Sequence, residues 1–173
     1  MLLAGKNVKV VTVVGFPLGA NSAQIKAYEA LNSIDEGADE IDMVINIAAL
    51  KDGKISLVKD EVSRVKQVCR ERVLKVIIET CYLSEEEIKT AVKICIEAGA
   101  DFVKTSTGFG TRGATIEDIK IIKSAAGEKI KIKASGGIKD YETALKFINE
   151  GADRLGTSSS VEIVLNKSGG DSY

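Results

Sequence analysis

Three residues in this chain carry reactive groups where the surrounding sequence does not call for them. Lys104 lies in GADFVKTSTGFGTRGAT (residues 99–115), inside a short apolar run that breaks into Thr105, Ser106, Thr107 and Gly108. An unpaired ammonium is costly to bury, so this lysine either points to solvent on an edge strand or is held in a cleft. The hydroxyls and backbone N–H groups that follow it favour a cleft that takes an anion. Lys133 lies in a second such run, IKIKASGG. A neighbouring ammonium disfavours the charged form of its partner, so Lys133 could keep Lys104 a neutral amine. A neutral lysine adds to a carbonyl and gives a Schiff base, an electron sink that needs no metal. Asp42, within IDMVINI, reads either as a strand-end carboxylate paired with a lysine or as a proton relay. Ser135-Gly136-Gly137 and Ser158-Ser159-Ser160 read as phosphate-holding loops or, equally well locally, as tight turns and helix caps.

The chain has no histidine, which removes the commonest general base and the commonest zinc ligand. Chemistry is left to Lys, Asp, Glu, Tyr, Ser, Thr or Cys, and no cofactor or metal site is expected. Three cysteines, Cys69, Cys81 and Cys95, form no CxxC pair and no disulfide framework. They read as small core hydrophobes in a reducing cytoplasm. A net charge of −1 and 5 % aromatic residues give no field or stacking surface for nucleic acid. No apolar run approaches the roughly 20 residues that span a bilayer, so no membrane partner is expected. The start of the chain is too soon polar for a signal peptide.

These groups need elements to hold them. With 173 residues, the chain is expected to form a single domain over 1–173. Residues 8–14, 41–47, 73–80, 101–105, 130–134 and 153–157 read as strands, the first (VKVVTVV) as one covered on both faces. Helices are expected between them. One is capped near Asn21 or Ser22 and ends at Gly37, and one spans about 56–72. One opens on the Ser84/Glu87 capping box, and others open at Thr115, at Asp140 and after Ser158. The tail 168–173 is Gly/Ser-rich and is expected to be mobile. Gly-Ala-Asp recurs at 37–39, 99–101 and 151–153, about two βα units apart each time. A signature on every second strand suits a barrel, whose alternate strands share interior layers, better than an open sheet. The dinucleotide-binding alternative needs GxGxxG after the first strand, and GFPLG does not supply it.

The set GADEIDMVIN, KVIIET, GADFVKTSTGF, KASGGI and GTSS, in this order and spacing, resembles the deoxyribose-phosphate aldolases over essentially the whole chain. The resemblance implies an α/β fold, the (βα)8 TIM barrel of the class I aldolases. It implies an aldehyde-lyase that uses a Schiff base and no metal to cleave 2-deoxy-D-ribose 5-phosphate reversibly to D-glyceraldehyde 3-phosphate and acetaldehyde. By position, Lys104 matches the Schiff-base lysine, Lys133 the second active-site lysine and Asp42 the proton-relay aspartate. Gly108, Gly136, Gly137, Lys139, Ser158 and Ser159 fall on the phosphate-binding loops, and Tyr173 matches a tail tyrosine that reaches the site. The small-molecule partner is a sugar phosphate, and a homodimer or self-association is expected.

Two departures stand out. Lys139 occupies a position where the family often has Arg, which keeps the charge but loses a bidentate clamp. Lys104 falls on the fourth strand of this chain, where the family has it on the sixth, so about six of eight βα units are expected. The competing reading is a barrel remnant, weakly active or inactive, that only binds sugar phosphate.

Overall fold

The computed structural model describes residues 5–166; the tail at 168–173, Tyr173 included, lies outside them. Six strands form one sheet: β1 (Val11–Val14), β2 (Glu40–Val44), β3 (Val73–Ile77), β4 (Phe102–Lys104), β5 (Lys131–Ser135) and β6 (Arg154–Gly156). They are all parallel and lie in sequence order. Helices α1 (Ala23–Asp35), α2 (Ile47–Lys51), α3 (Ile55–Cys69), α4 (Glu85–Glu97), α5 (Ile116–Ala126), α6 (Tyr141–Asn149) and α7 (Ser160–Val164) link and follow them. Strand order never reverses, as it would in a doubly wound sheet.

The sheet is curled. In a flat sheet β2 and β6 would lie four strand spacings apart, about 19 Å. Here Arg154 on β6 reaches Glu40 on β2 at 2.6 Å, and Lys133 on β5 reaches Asp42 on β2 at 2.9 Å. Side chains from distant strands meet inside a partial (βα)8 barrel. The helices wrap its outside, burying Val58, Val62, Val65, Ile88, Val92, Ile119 and Ile122 against the outward faces of the strands.

Local chemistry sets the helix starts. Ser22 accepts from the Ile25 N–H, Ser84 and Glu87 form a reciprocal capping box, Thr115 and Asp118 form another, and Asp140 accepts from Thr143. The Gly-Ala-Asp repeat also has a physical content. Gly37, Gly99 and Gly151 take positive φ just past a helix end, where a Cβ would strain the backbone. Ala38, Ala100 and Ala152 are buried. Asp39, Asp101 and Asp153 each accept a backbone N–H at the preceding strand, from Val10 just before β1, Leu74 in β3 and Ile132 in β5, over 2.8–2.9 Å. The same aspartates donate their own N–H to the carbonyls of those residues. Each copy therefore staples an even strand to the odd strand before it.

Two expectations need correction. The segment 8–14 is a strand only over Val11–Val14, and it is not covered on both faces: Val11 is 41 % and Val13 38 % exposed. Both are in register with the inward-facing Glu40 and Asp42, so they face the barrel interior on its open side. The segment 41–47 ends as a strand at Val44, because Asn46 caps a further short helix, α2, through the Ala49 N–H. The loop between β1 and α1 is tied down by Lys26. Its buried ammonium donates to Gly19 O and Val44 O at 2.7 Å and to Glu61 at 2.8 Å.

Within the described sheet β1 and β6 each pair on one side only. Unpaired strand edges beside exposed apolar residues invite pairing with another chain. The isolated 173-residue chain is expected to self-associate, with light scattering above the monomer mass. A monodisperse, fully active monomer would contradict this.

Candidate active site

The curl brings the polar interior positions of four neighbouring strands to one point. Asp42 on β2, Lys75 on β3, Lys104 on β4 and Lys133 on β5 all point inward. Lys104 and Lys133 are register partners on adjacent strands. One carboxylate oxygen of Asp42, Oδ2, accepts from both Lys104 Nζ and Lys133 Nζ at 2.9 Å, so the two ammoniums lie within twice that distance of each other. The other oxygen, Oδ1, accepts from Lys75 Nζ at 2.9 Å. Lys75 has no exposed surface and also bridges to Glu40 at 2.5 Å, which in turn meets Arg154.

Four cationic side chains thus share two carboxylates. For Asp42, burial pushes the carboxyl up, but the ammoniums of Lys104, Lys133 and Lys75 outweigh it and hold the acid well below the usual carboxylate range. Lys133 is held below its ordinary value, first by burial and then by the positive charge of Lys104 and Lys75, with Asp42 opposing. Gly156 leaves room for this arrangement, since a Cβ there would crowd Lys133 Cε at 3.3 Å and Ser135 Cβ at 2.9 Å.

Above the centre a cavity of about 550 Å³ opens at the C-terminal ends of the strands. Its walls include Lys104, Gly108, Gly136, Gly137, Lys139 and Ser158, so six of the positions singled out in the sequence share one space. Gly108 and Gly137 have φ of +92° and +79° with open space where a Cβ would stand, which leaves their backbone accessible to a ligand. Gly136 serves packing instead: its backbone lies against Gly113, where a Cβ at either position would collide. Ser159 is not in the wall. It is buried behind it, its N–H donating to Thr157 Oγ1 at 2.9 Å.

Lys75 was not singled out from the sequence, although the signal was there: like Lys104, it interrupts an otherwise apolar strand run. Phe109 was also missed as a wall residue, whereas Thr107, read with the polar run after Lys104, does line the cavity. Phe109, 75 % exposed, makes an edge-to-face contact with Phe16 at 5.4 Å. Arg112 anchors the same loop from below by a forked contact to Asp118. Cys69 and Cys95 are buried, which pushes their thiols up to about 11 and about 12, as suits core residues. Among the described residues no group of His, Cys, Asp and Glu could hold a metal ion.

A parallel partial barrel, with Lys104 in the wall of a glycine-lined cavity and Lys133 on the same Asp42 oxygen, has the make-up of a barrel enzyme. The model of the DeoC/LacD family aldolases matches residues 4–160. A deoxyribose-phosphate aldolase of Brevibacillus brevis is 53 % identical over 99 % of this chain and 78 % of its own length. One of Thermococcus kodakarensis is 54 % identical over 91 % of this chain and 71 % of its own. Among solved structures, an aldolase described as QR15 superposes with a TM-score of 0.90 at 52 % identity, covering 94 % of this chain and 73 % of that one. The deoxyribose phosphate aldolase of Aeropyrum pernix, described as a tetramer, gives 0.87 at 34 % identity over 95 % and 70 %. The chain belongs to the DeoC/LacD family of aldolases.

Asp42→Asn leaves the interior ammoniums without their central counter-charge and is expected to cost about 3 kcal/mol at pH 7. A carboxyl depressed on folding stabilises above its unfolded pKa of about 3.9, and that contribution fades as pH falls toward the folded value. The gap between parent and variant in urea unfolding should therefore begin to narrow below about pH 4 and keep narrowing as pH falls further. A gap that stays constant from pH 7 to pH 3 would show that Asp42 is not ionised in the folded chain.

Proposed function

We propose that the chain is a deoxyribose-phosphate aldolase that cleaves 2-deoxy-D-ribose 5-phosphate to D-glyceraldehyde 3-phosphate and acetaldehyde, and runs the reverse condensation. The observation that carries this reading is the single Asp42 oxygen shared by Lys104 and Lys133 beneath a cavity rimmed by accessible glycine backbone. Relatives of that name at 53 % and 54 % identity support the substrate.

In this reading Lys104 Nζ passes a proton to the Asp42–Lys133 pair and adds to the C1 aldehyde of the open-chain sugar; that proton returns to the leaving hydroxyl, and loss of water leaves a protonated Schiff base. Removal of the C3 hydroxyl proton then breaks the C2–C3 bond. The bonding pair flows into the iminium to form an enamine, and glyceraldehyde 3-phosphate departs. Protonation at C2 and hydrolysis release acetaldehyde and restore the amine. Asp42 and Lys133 carry protons to and from the reacting atoms, Asp42 Oδ2 accepting from both Lys133 and Lys104. Lys75 holds the Asp42 carboxylate so that its other oxygen faces the two lysines. Gly108, Gly137, Lys139 and Ser158 receive the phosphate at the far end of the cavity, and Gly136 and Ser159 shape the loops behind it. The joined centre gives no support to a remnant that only binds its ligand.

The domain reading is one partial barrel over 1–173. A homo-oligomer is in keeping with the tetramer described for the Aeropyrum pernix relative. Among the described residues no helix is long and apolar enough to cross a membrane. Cys69, Cys81 and Cys95 are free thiols, in keeping with a cytoplasmic setting.

Borohydride added with acetaldehyde is expected to fix a two-carbon adduct on Lys104, located by peptide mass mapping. An adduct found mainly on Lys133 would reverse the two assignments. A carboxylate at the phosphate end gives a separate check. Gly137→Asp should raise KM for deoxyribose 5-phosphate far more than for unphosphorylated deoxyribose, whereas equal losses would point to general misfolding.

A further inference from the structure

Glu79 lies just past the end of β3 and stands apart from its neighbours in backbone and in side chain. Ile78 and Thr80 continue the ladder to the chain after β4, donating to Lys104 O and Thr105 O. Between them Glu79 sits in the left-handed region at φ +54° and ψ +68°, an unfavourable conformation for a residue with a Cβ. Its carboxylate is nearly fully buried. It accepts the Thr107 N–H on both oxygens at 3.2–3.3 Å and the Thr107 hydroxyl on Oε2, and the Cys81 thiol lies against Oε1.

Thr107 passes this hold along the chain, since its Oγ1 accepts the Phe109 N–H at 3.0 Å. The turn Thr107-Gly108-Phe109 therefore hangs from one carboxylate. Gly110 closes the packing from the other side, where a Cβ would meet Cys81 Sγ at 2.5 Å and the Glu79 carboxyl at 3.2 Å. All three residues of the turn line the cavity with Lys104, and Glu79 does not. Strained backbone at a cavity wall persists only where surrounding contacts fix it, and these contacts all converge on the turn.

We propose that Glu79 is a positioning residue that sets the Thr107–Phe109 turn so that the Gly108 backbone N–H is presented to the substrate phosphate. The proposal rests on the sugar-phosphate reading given above. A carboxylate suits the task because its two oxygens accept an N–H and an O–H from one residue at once. An amide has one oxygen, and its NH2 would oppose the second donor.

Glu79→Gln and Thr107→Val test it in steady-state cleavage of deoxyribose 5-phosphate and of unphosphorylated deoxyribose. Thr107→Val keeps the backbone N–H and nearly the same volume, so it remains informative if Glu79→Gln does not fold. Each variant is expected to raise KM for the phosphorylated sugar about tenfold, the worth of one hydrogen bond to a charged group. The kcat should move less than KM, and kcat/KM for deoxyribose should stay within about twofold. Thr107→Ser restores the hydroxyl and should restore KM. Equal losses on both sugars, or no change on either, would overturn the proposal while leaving the aldolase reading intact. A parent enzyme with no preference for the phosphorylated sugar would remove the phosphate reading itself, and this proposal with it.

Discussion

The interior of this barrel depends on one carboxylate. Asp42 offers its two oxygens to three ammoniums, Lys75 on one side and Lys104 with Lys133 on the other. Without that anion the three lysines would repel one another in a space with little water to screen them. With it, the positive charge is still in excess, because Lys75 and Arg154 also share Glu40. Burial, together with this excess of positive charge, holds Lys133 below its ordinary value. In the aldolase reading proposed above, the amine chemistry depends on how this charge is distributed.

Much of the architecture was legible because local signals agreed with the global one. Ser22, Ser84, Thr115 and Asp140 cap the helices they head, and the Gly-Ala-Asp copies mark alternate strands. What stayed hidden depended on the curl. Lys75 reads as one polar residue in VLKVIIET, and only closure of the sheet reveals that its face is the inside of a charged core. The exposure of Val11 and Val13 follows from the place of β1 at a sheet edge, which no property of VKVVTVV encodes. Asn46 was passed over as a strand residue because apolar residues flank it, yet its side chain starts a helix.

The site showed the same division. The residue types at Lys104, Lys133 and Asp42 pointed to amine chemistry before their contacts were known, and the loops after β4 and β5 carried the glycines that an anion needs. Sequence could not separate glycines that face a ligand from those that allow backbones to touch. Gly108 and Gly137 have open space beside them, whereas Gly113 and Gly136 exist to let two loops lie against each other. Nor could it distinguish Ser158 in the wall from Ser159 behind it.

The sequential strand order has a kinetic consequence. Strands hydrogen-bond only to their neighbours in chain order, so the sheet can grow by closing short loops, one βα unit after another. The side-chain hydrogen bonds of greatest sequence separation among the described residues lie in the barrel interior: Asp42 with Lys104 at 62 residues, Asp42 with Lys133 at 91, and Glu40 with Arg154 at 114. These ion pairs span longer stretches of chain than any strand pairing described, so their closure depends on the curled sheet being in place, and their charges act as a clasp across its interior.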